Sequence, residues 1–290
     1  MFPMRATTRA RYALSPERCI MLAALLLVTA CSNAPETVEQ RIAMLAPHIT
    51  VLMPEQADGP VPAVLMFSGC GGVIAVQHDY AAIANDLGVA ALIVDSHAAR
   101  GIGRMGARLT VCTAARMRGG TRAGDVVAAI AHARTLPGID ASRLALIGWS
   151  HGGWTLLDVL SLTTEGAAPA GLDHLPDNAL AGVRSVMLVY PWCGFLIRAR
   201  DHDLPAYPPV DALLAGGDVI AAPQACTALF EGQTAANATI VWETLDGLTH
   251  AFDAPDEVFD PRVRHDAQGT AHAHAWYARL LGEHLVSRQE

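Results

Sequence analysis

The stretch that most constrains this chain is Arg143-Leu144-Ala145-Leu146-Ile147-Gly148-Trp149-Ser150-His151-Gly152-Gly153, an apolar run that stops at a serine set between glycines. Followed by a helical apolar pattern from Trp154 to Leu162, it reads as strand, sharp turn, helix. A serine at such a turn needs a strained backbone to lift its hydroxyl clear of the sheet. Any side chain at Gly148 or Gly152 would collide with the neighbouring strand or helix. Gly-x-Ser-x-Gly is therefore a candidate nucleophile elbow with Ser150 as the nucleophile. The motif is short enough to arise by chance, so the test is whether the chain also supplies a base, an acid and an oxyanion site in the right order.

Strand-like apolar runs cover 48–53, 62–67, 89–94, 143–148, 185–190, 210–215 and 239–245. Between them lie helical patterns at 80–87, 121–136, 154–162, 223–230 and, finally, 271–287, with Thr121 placed to cap the second and Asp125 in its first turn. Strand, helix, strand at this spacing argues an α/β fold: a mostly parallel central sheet flanked by helices on both faces, formed as a single domain by residues 47–290. Residues 163–183 and 195–209 lack periodicity and are expected as excursions, the first a loop over the site. Gly-rich backbone in Ser68-Gly69-Cys70-Gly71-Gly72, at the carboxyl end of a strand, can turn N–H donors inward. This loop is the candidate for half of an oxyanion hole, with a plain loop as the alternative, and in His151 the backbone N–H is the useful group.

Asp218 and His250 close the next pieces of the argument, because each follows the carboxyl end of a later strand. A serine hydroxyl is a weak nucleophile until a neutral imidazole takes its proton, and the imidazole needs a carboxylate on its other nitrogen. The order Ser150, Asp218, His250 meets that need. Taken alone, Asp218 after two glycines reads equally as a turn residue or a helix cap, and His250 is one of twelve histidines. The His151 side chain is expected to point away from the site. Asp95 and Asp246 are rival acids. His272 and His274 read as surface residues of the last helix, and no metal or other cofactor is expected. Trp149, Trp154 and Trp192 are candidates to line an acyl pocket or to pack the core, and Arg100 to meet an anionic group of a substrate or to tie its loop to a carboxylate.

The first thirty residues carry Arg5, Arg9, Arg11 and Arg18 ahead of an apolar run from Ile20 to Ala30, the pattern of a signal peptide and too short for a stable span. Leu27-Val28-Thr29-Ala30-Cys31 resembles the lipobox of bacterial lipoproteins, which implies lipid on Cys31, with Ser32 favouring the outer membrane, facing the periplasm. Residues 31–46, rich in Glu, Ala and Pro, read as a linker. Without residues 1–30 the chain keeps 16 basic and 27 acidic residues, a formal charge of −11, so nucleic acid is not an expected partner. Cys70, Cys112, Cys193 and Cys226 remain for an oxidising compartment, and sequence alone allows three pairings among them.

From about residue 48 to 286 the chain resembles the dienelactone hydrolase family of α/β-hydrolases. The resemblance is carried by Ser68-Gly69-Cys70-Gly71-Gly72, Asp95-Ser96 with Arg100-Gly101, Gly148-Trp149-Ser150-His151-Gly152-Gly153, Gly217-Asp218 and Thr249-His250-Ala251-Phe252. It implies Ser150 as nucleophile, His250 as general base and then acid, Asp218 as orienting acid, and the N–H groups of Cys70 and His151 as the oxyanion hole. Two departures stand out: the family's founders use cysteine where this chain has Ser150, and Ser68 stands where many relatives have His. The topology so implied also suggests disulfides Cys70–Cys112 and Cys193–Cys226. The expected activity is hydrolysis of a small-molecule ester, thioester or lactone. Acyl transfer, peptide cleavage and an inactive envelope binding protein are the alternatives.

Overall fold

The computed structural model describes residues 34–255 and 260–287; the signal-like segment and Cys31 lie outside the described residues. Each apolar run expected as a strand forms one: β1 (Ile49–Leu52), β2 (Val61–Phe67), β3 (Ala90–Val94), β4 (Ile139–Trp149), β5 (Val183–Val189), β6 (Val210–Ala215) and β7 (Ile240–Leu245). They make a single sheet in the order β1-β3-β2-β4-β5-β6-β7, parallel throughout except for β1, which pairs antiparallel with β3 at one edge.

Side chains alternate across the sheet, so each strand feeds two cores. Leu65, Phe67, Leu144, Leu146, Val186 and Leu188 point to one face, and Val64, Met66, Ala145, Ile147, Met187 and Val189 to the other. The first face is covered by α1 (Val38–Leu45), α4 (Gly119–Ala133), α5 (His151–Glu165) and α6 (Pro223–Ala235), the second by α2 (Ala75–Asp86) and α7 (Ala267–Leu281). A further helix, α3 (Arg104–Thr110), packs a small cluster of its own through Ala107, joined by Val111 just beyond its end.

Three expectations are corrected. Residues 38–45 are a helix and not part of a linker: Thr37 and Gln40 form a capping box, Val38 and Leu45 are buried in the core, and Arg41 pairs with buried Asp125 at 2.8 Å. Asp125 lies inside α4, which starts at Gly119 and is led in by Arg118 rather than capped by Thr121. Residues 166–182 do not cover the site. They follow the far end of α5 and run along α1, where Glu36 and Leu172 bridge and Arg41 lies against Gly171.

Register places the functional ends. Phe67 of β2 lies beside Gly148 of β4, and Trp149 beside Val189 of β5, so the loops after β2, β4 and β5 emerge together at the carboxyl edge. Parallel sheets of this kind present their ligand groups at that edge.

Candidate active site

Ser150 sits at φ 50° and ψ −110°, a left-handed backbone that a non-glycine residue holds only when its surroundings force it. The forcing is visible in the flanking glycines. A Cβ on Gly148 would lie 2.5 Å from the Gly152 carbonyl carbon, one on Gly152 would land on the Phe67 carbonyl, and one on Gly153 would lie 2.6 Å from Pro191. The turn is pinned from β5, where the Ser150 N–H donates to Val189 O at 3.0 Å, and by Trp192, whose N–H donates to Ser150 O at 3.1 Å.

The three residues expected from chain order come together. His250 Nε2 is 2.9 Å from Ser150 Oγ, and His250 Nδ1 is 2.5 Å from Asp218 Oδ2. Asp218 and His250 are both buried. Asp218 reconciles its two readings: Oδ2 meets the histidine, while Oδ1 accepts from the N–H groups of Ile220 and Ala221 at 2.7 and 2.8 Å. The turn it caps fixes the carboxylate's orientation, which in turn fixes the imidazole tautomer with its proton on Nδ1. Asp246 is exposed, and Asp95 accepts from the N–H groups of His97 and Ala98, so neither rival acid reaches the site.

The loop after β2 passes directly over the serine, with the Gly69 Cβ position 3.6 Å from Ser150 Cβ. Among the described residues, no protein group accepts a hydrogen bond from the N–H of Cys70 or of His151. Both disulfides expected from topology form: Cys70–Cys112 and Cys193–Cys226. The first ties this loop to the segment after α3, and the second ties the loop after β5 to α6.

Several residues that sequence reading missed hold this arrangement. Arg122, fully buried in α4, donates to Ser68 O at 2.7 Å, Ser68 Oγ at 3.2 Å and Ser96 Oγ at 3.1 Å, gripping the root of the loop. Burial without a contacting carboxylate pulls its guanidinium down to about 10, so it stays charged at neutral pH. His97 Nε2 reaches Cys70 O at 3.1 Å, and burial and then Arg122 hold this imidazole down to about 4. The His151 ring points away from the site, as expected, with Nε2 3.2 Å from Met117 O. Burial first and Arg122 second push it down to about 3. Two charged residues, Arg122 and Asp125, within an otherwise apolar and small-residue helical stretch were the available signal, but only the fold shows what each touches.

On the opposite side, Asp253 is a second buried acid. It accepts from Tyr190 Oη at 2.6 Å, Tyr80 Oη at 3.0 Å and Trp149 Nε1 at 3.3 Å. Burial pushes its carboxyl above the usual range against the pull of these donors. Tyr190 packs against His250 with ring centres 4.9 Å apart. Asp253 thus joins the base's loop to the residue preceding the nucleophile. Arg100 does not face substrate. Its two guanidinium nitrogens close on Asp125 at 2.8 Å each, and it lies outside the cleft, because a buried carboxylate beside it is a better partner than solvent.

The triad opens into a cleft of about 810 Å³. Trp149, Trp154 and Trp192 line it as expected, joined by Phe195 and Leu196 from the second excursion and by Val111 beyond α3. Among the described residues no group of three or more His, Cys, Asp or Glu is placed to hold a metal ion.

The dienelactone hydrolase family model matches residues 49–283. No curated protein matches the chain. Among solved structures, the chain is similar to a dienelactone hydrolase-like promiscuous phosphotriesterase from metagenomic libraries, at 19% identity and TM-score 0.61, over 82% of this chain and 99% of that one. It is also similar to a thermophilic esterase of the planctomycete Thermogutta terrifontis in a propionate-bound structure, at 15% identity and TM-score 0.59, over 83% and 91%. At these identities the likeness is one of fold. A family model spanning the sheet from β1 to the last helix, over a strained serine with its histidine and aspartate in contact, makes the chain a member of the dienelactone hydrolase family and a hydrolase acting on ester bonds.

Proposed function

We propose that the protein hydrolyses a small-molecule carboxylic ester, thioester or lactone through an acyl-enzyme on Ser150. The observation that carries this is the continuous chain Ser150 Oγ, His250, Asp218 at 2.9 and 2.5 Å. His250 Nε2 takes the Ser150 proton as Oγ attacks the carbonyl carbon, and Asp218 stabilises the imidazolium that forms. The developing oxyanion accepts from the N–H groups of Cys70 and His151, supported by the N-terminus of α5. Collapse breaks the bond to the leaving oxygen or sulfur, which takes the proton from His250; in a lactone that group stays tethered to the acyl chain. Water, deprotonated by the same nitrogen, then releases the acid and restores Ser150. Trp149 and Trp192 in the cleft wall are the candidates to contact the acyl or leaving group.

Fluorophosphonate labelling tests the activated serine without assuming a substrate. A Thermogutta terrifontis esterase of this fold has been captured phosphoramylated by tabun, which supports the choice of a phosphorus probe. Wild type is expected to label, and Ser150→Ala and His250→Ala to lose labelling with unchanged melting. A folded wild type that stays unlabelled would overturn the reading. The proposal extends to location: lipid on Cys31 anchors the enzyme in the bacterial envelope, at the outer membrane facing the periplasm. Metabolic labelling with an alkyne fatty acid should tag the wild type and spare Cys31→Ser; equal tagging of both, or of neither, refutes the anchor.

A further inference from the structure

Between Asp95 and Asp125 the chain carries six arginines and no acidic residue, within a protein of formal charge −8. Two of the six turn inward, Arg100 onto Asp125 and Arg122 onto Ser68. Arg104, Arg108, Arg116 and Arg118 are exposed on α3 and the segment behind it. Among the described residues no carboxylate pairs with Arg108, Arg116 or Arg118. Interleaved with them, one step round the helix from the cleft-lining Arg104 and Arg108, Met105 and Leu109 are 67% and 66% exposed. Phe195, which lines the same cleft, is 73% exposed.

Large apolar side chains left in water beside uncompensated cations are costly features on a free surface, and they match the two layers of a bilayer interface: anionic headgroups for the arginines, the acyl boundary for Met, Leu and Phe. We propose that the rim formed by residues 104–118 and Phe195 docks on an anionic phospholipid surface, so that the cleft opens onto the membrane. The occupant follows from charge complementarity: a segment with no acid, whose Arg108, Arg116 and Arg118 face outward without a paired carboxylate, on a chain that is otherwise strongly acidic, selects an anionic partner over a neutral one. The apolar residues between the arginines select a lipid surface over a soluble anion. Each basic residue near such a surface is worth roughly fivefold in affinity. The cleft's ester substrate would then be one that partitions to the interface. This docking rests on the hydrolase reading only for what the cleft does, and it is separate from lipid on Cys31.

The test uses the full chain reconstituted from detergent into vesicles of phosphatidylcholine alone, or of phosphatidylcholine with a third phosphatidylglycerol, and reads amide hydrogen exchange. Residues 104–113 should exchange at least fivefold more slowly in the anionic vesicles than in the neutral ones. That protection should disappear in Arg108→Gln/Arg116→Gln/Arg118→Gln and fall in Met105→Ser/Leu109→Ser. Fluorophosphonate labelling of each variant reports separately that the triad is folded, so a failure of docking and a failure of the hydrolase reading are distinguishable. Equal exchange in the two vesicle types overturns the proposal. So does protection produced equally by a soluble anion such as hexanoate in detergent, which would assign the arginines to an anionic substrate.

Discussion

The turn that carries Ser150 has acids on one side and arginines on the other. Toward β5 and the last helix lie Asp218 and Asp253, tied to His250, Tyr190, Tyr80 and Trp149. Toward β2 and α4 lie Arg122, Arg100 and Arg41 with Asp125, and the histidines there are held neutral. The difference follows from what each side must do. In the proposed mechanism the first would handle the proton that leaves the serine, a task that calls for carboxylates to stabilise the imidazolium. In the same mechanism the second would face the negative charge developing on substrate oxygen, a task that calls for fixed N–H groups and a positive background that does not titrate. Neutral His97 and His151 satisfy that need, since their rings brace the backbone without adding a movable charge.

The contrast can be broken residue by residue, beginning where the effect is greatest. Asp218→Asn keeps the turn but loses the carboxylate, and kcat on an ester substrate should fall by about 10⁴ with little change in melting temperature. A drop of only tenfold would mean that Asp253 supplies the charge instead. On the arginine side, Arg122→Met removes the grip on Ser68, and kcat is expected to fall by about 10²–10³ with KM nearly constant, partly rescued in Arg122→Lys. If KM rises while kcat holds, the residue belongs to binding and not to oxyanion support. Asp253→Asn should cost less, about 10- to 100-fold in kcat, because it loosens the link between nucleophile and base without touching either. Tyr190→Phe should reproduce part of that loss if the link runs through the ring against His250.

The smallest effect is the slope of stability with pH. His97 and His151, held down to about 4 and about 3, contribute stability that is whole above the ordinary histidine value of 6.5 and is lost as pH falls toward those values. Buried Asp158 in α5, pushed up to about 7, does the reverse, being stabilising in acid and losing that contribution as pH rises through 7. Between pH 4 and 6.5 unfolding thus takes up two protons at the histidines and releases one at the aspartate. The histidines outweigh the aspartate in number, so stability should rise with pH across this window. Urea melts at pH 4.5 and 5.5 measure this directly, and His97→Gln should make the slope shallower.

Much of the site was legible because its residues follow strands that announce themselves. Ser150, Asp218 and His250 each close an apolar run, and the short, β-rich runs at 62–67, 89–94 and 185–190 leave little room for another element. The supports were illegible for the opposite reason. Asp253 meets partners 173, 104 and 63 residues away, and no local pattern records such contacts. Helix α3 escapes notice because it is short, contains Gly106, and exposes the very residues that an amphipathic pattern would bury. By contrast, α1 carried a readable signal, Thr37-Val-Glu-Gln40, whose capping box outweighs the Ala- and Pro-rich composition around it. The two unpatterned excursions look alike in sequence. Whether one borders the cleft depends on which end of the sheet it leaves from: 166–182 departs from the far end of α5 and 195–197 from the carboxyl end of β5.

The bond between Cys70 and Cys112 gives the enzyme a history as well as a shape. The loop that offers the Cys70 N–H is joined covalently to residues 104–118 only once both thiols have been oxidised, a step that belongs to compartments outside the reducing cytoplasm. Before that step the same polypeptide has its serine, histidine and aspartate but lacks the covalent strut behind the Cys70 N–H, the proposed oxyanion donor. On the proposed mechanism, oxidation of this pair is a step in maturation, and the reduced chain is expected to be the weaker catalyst.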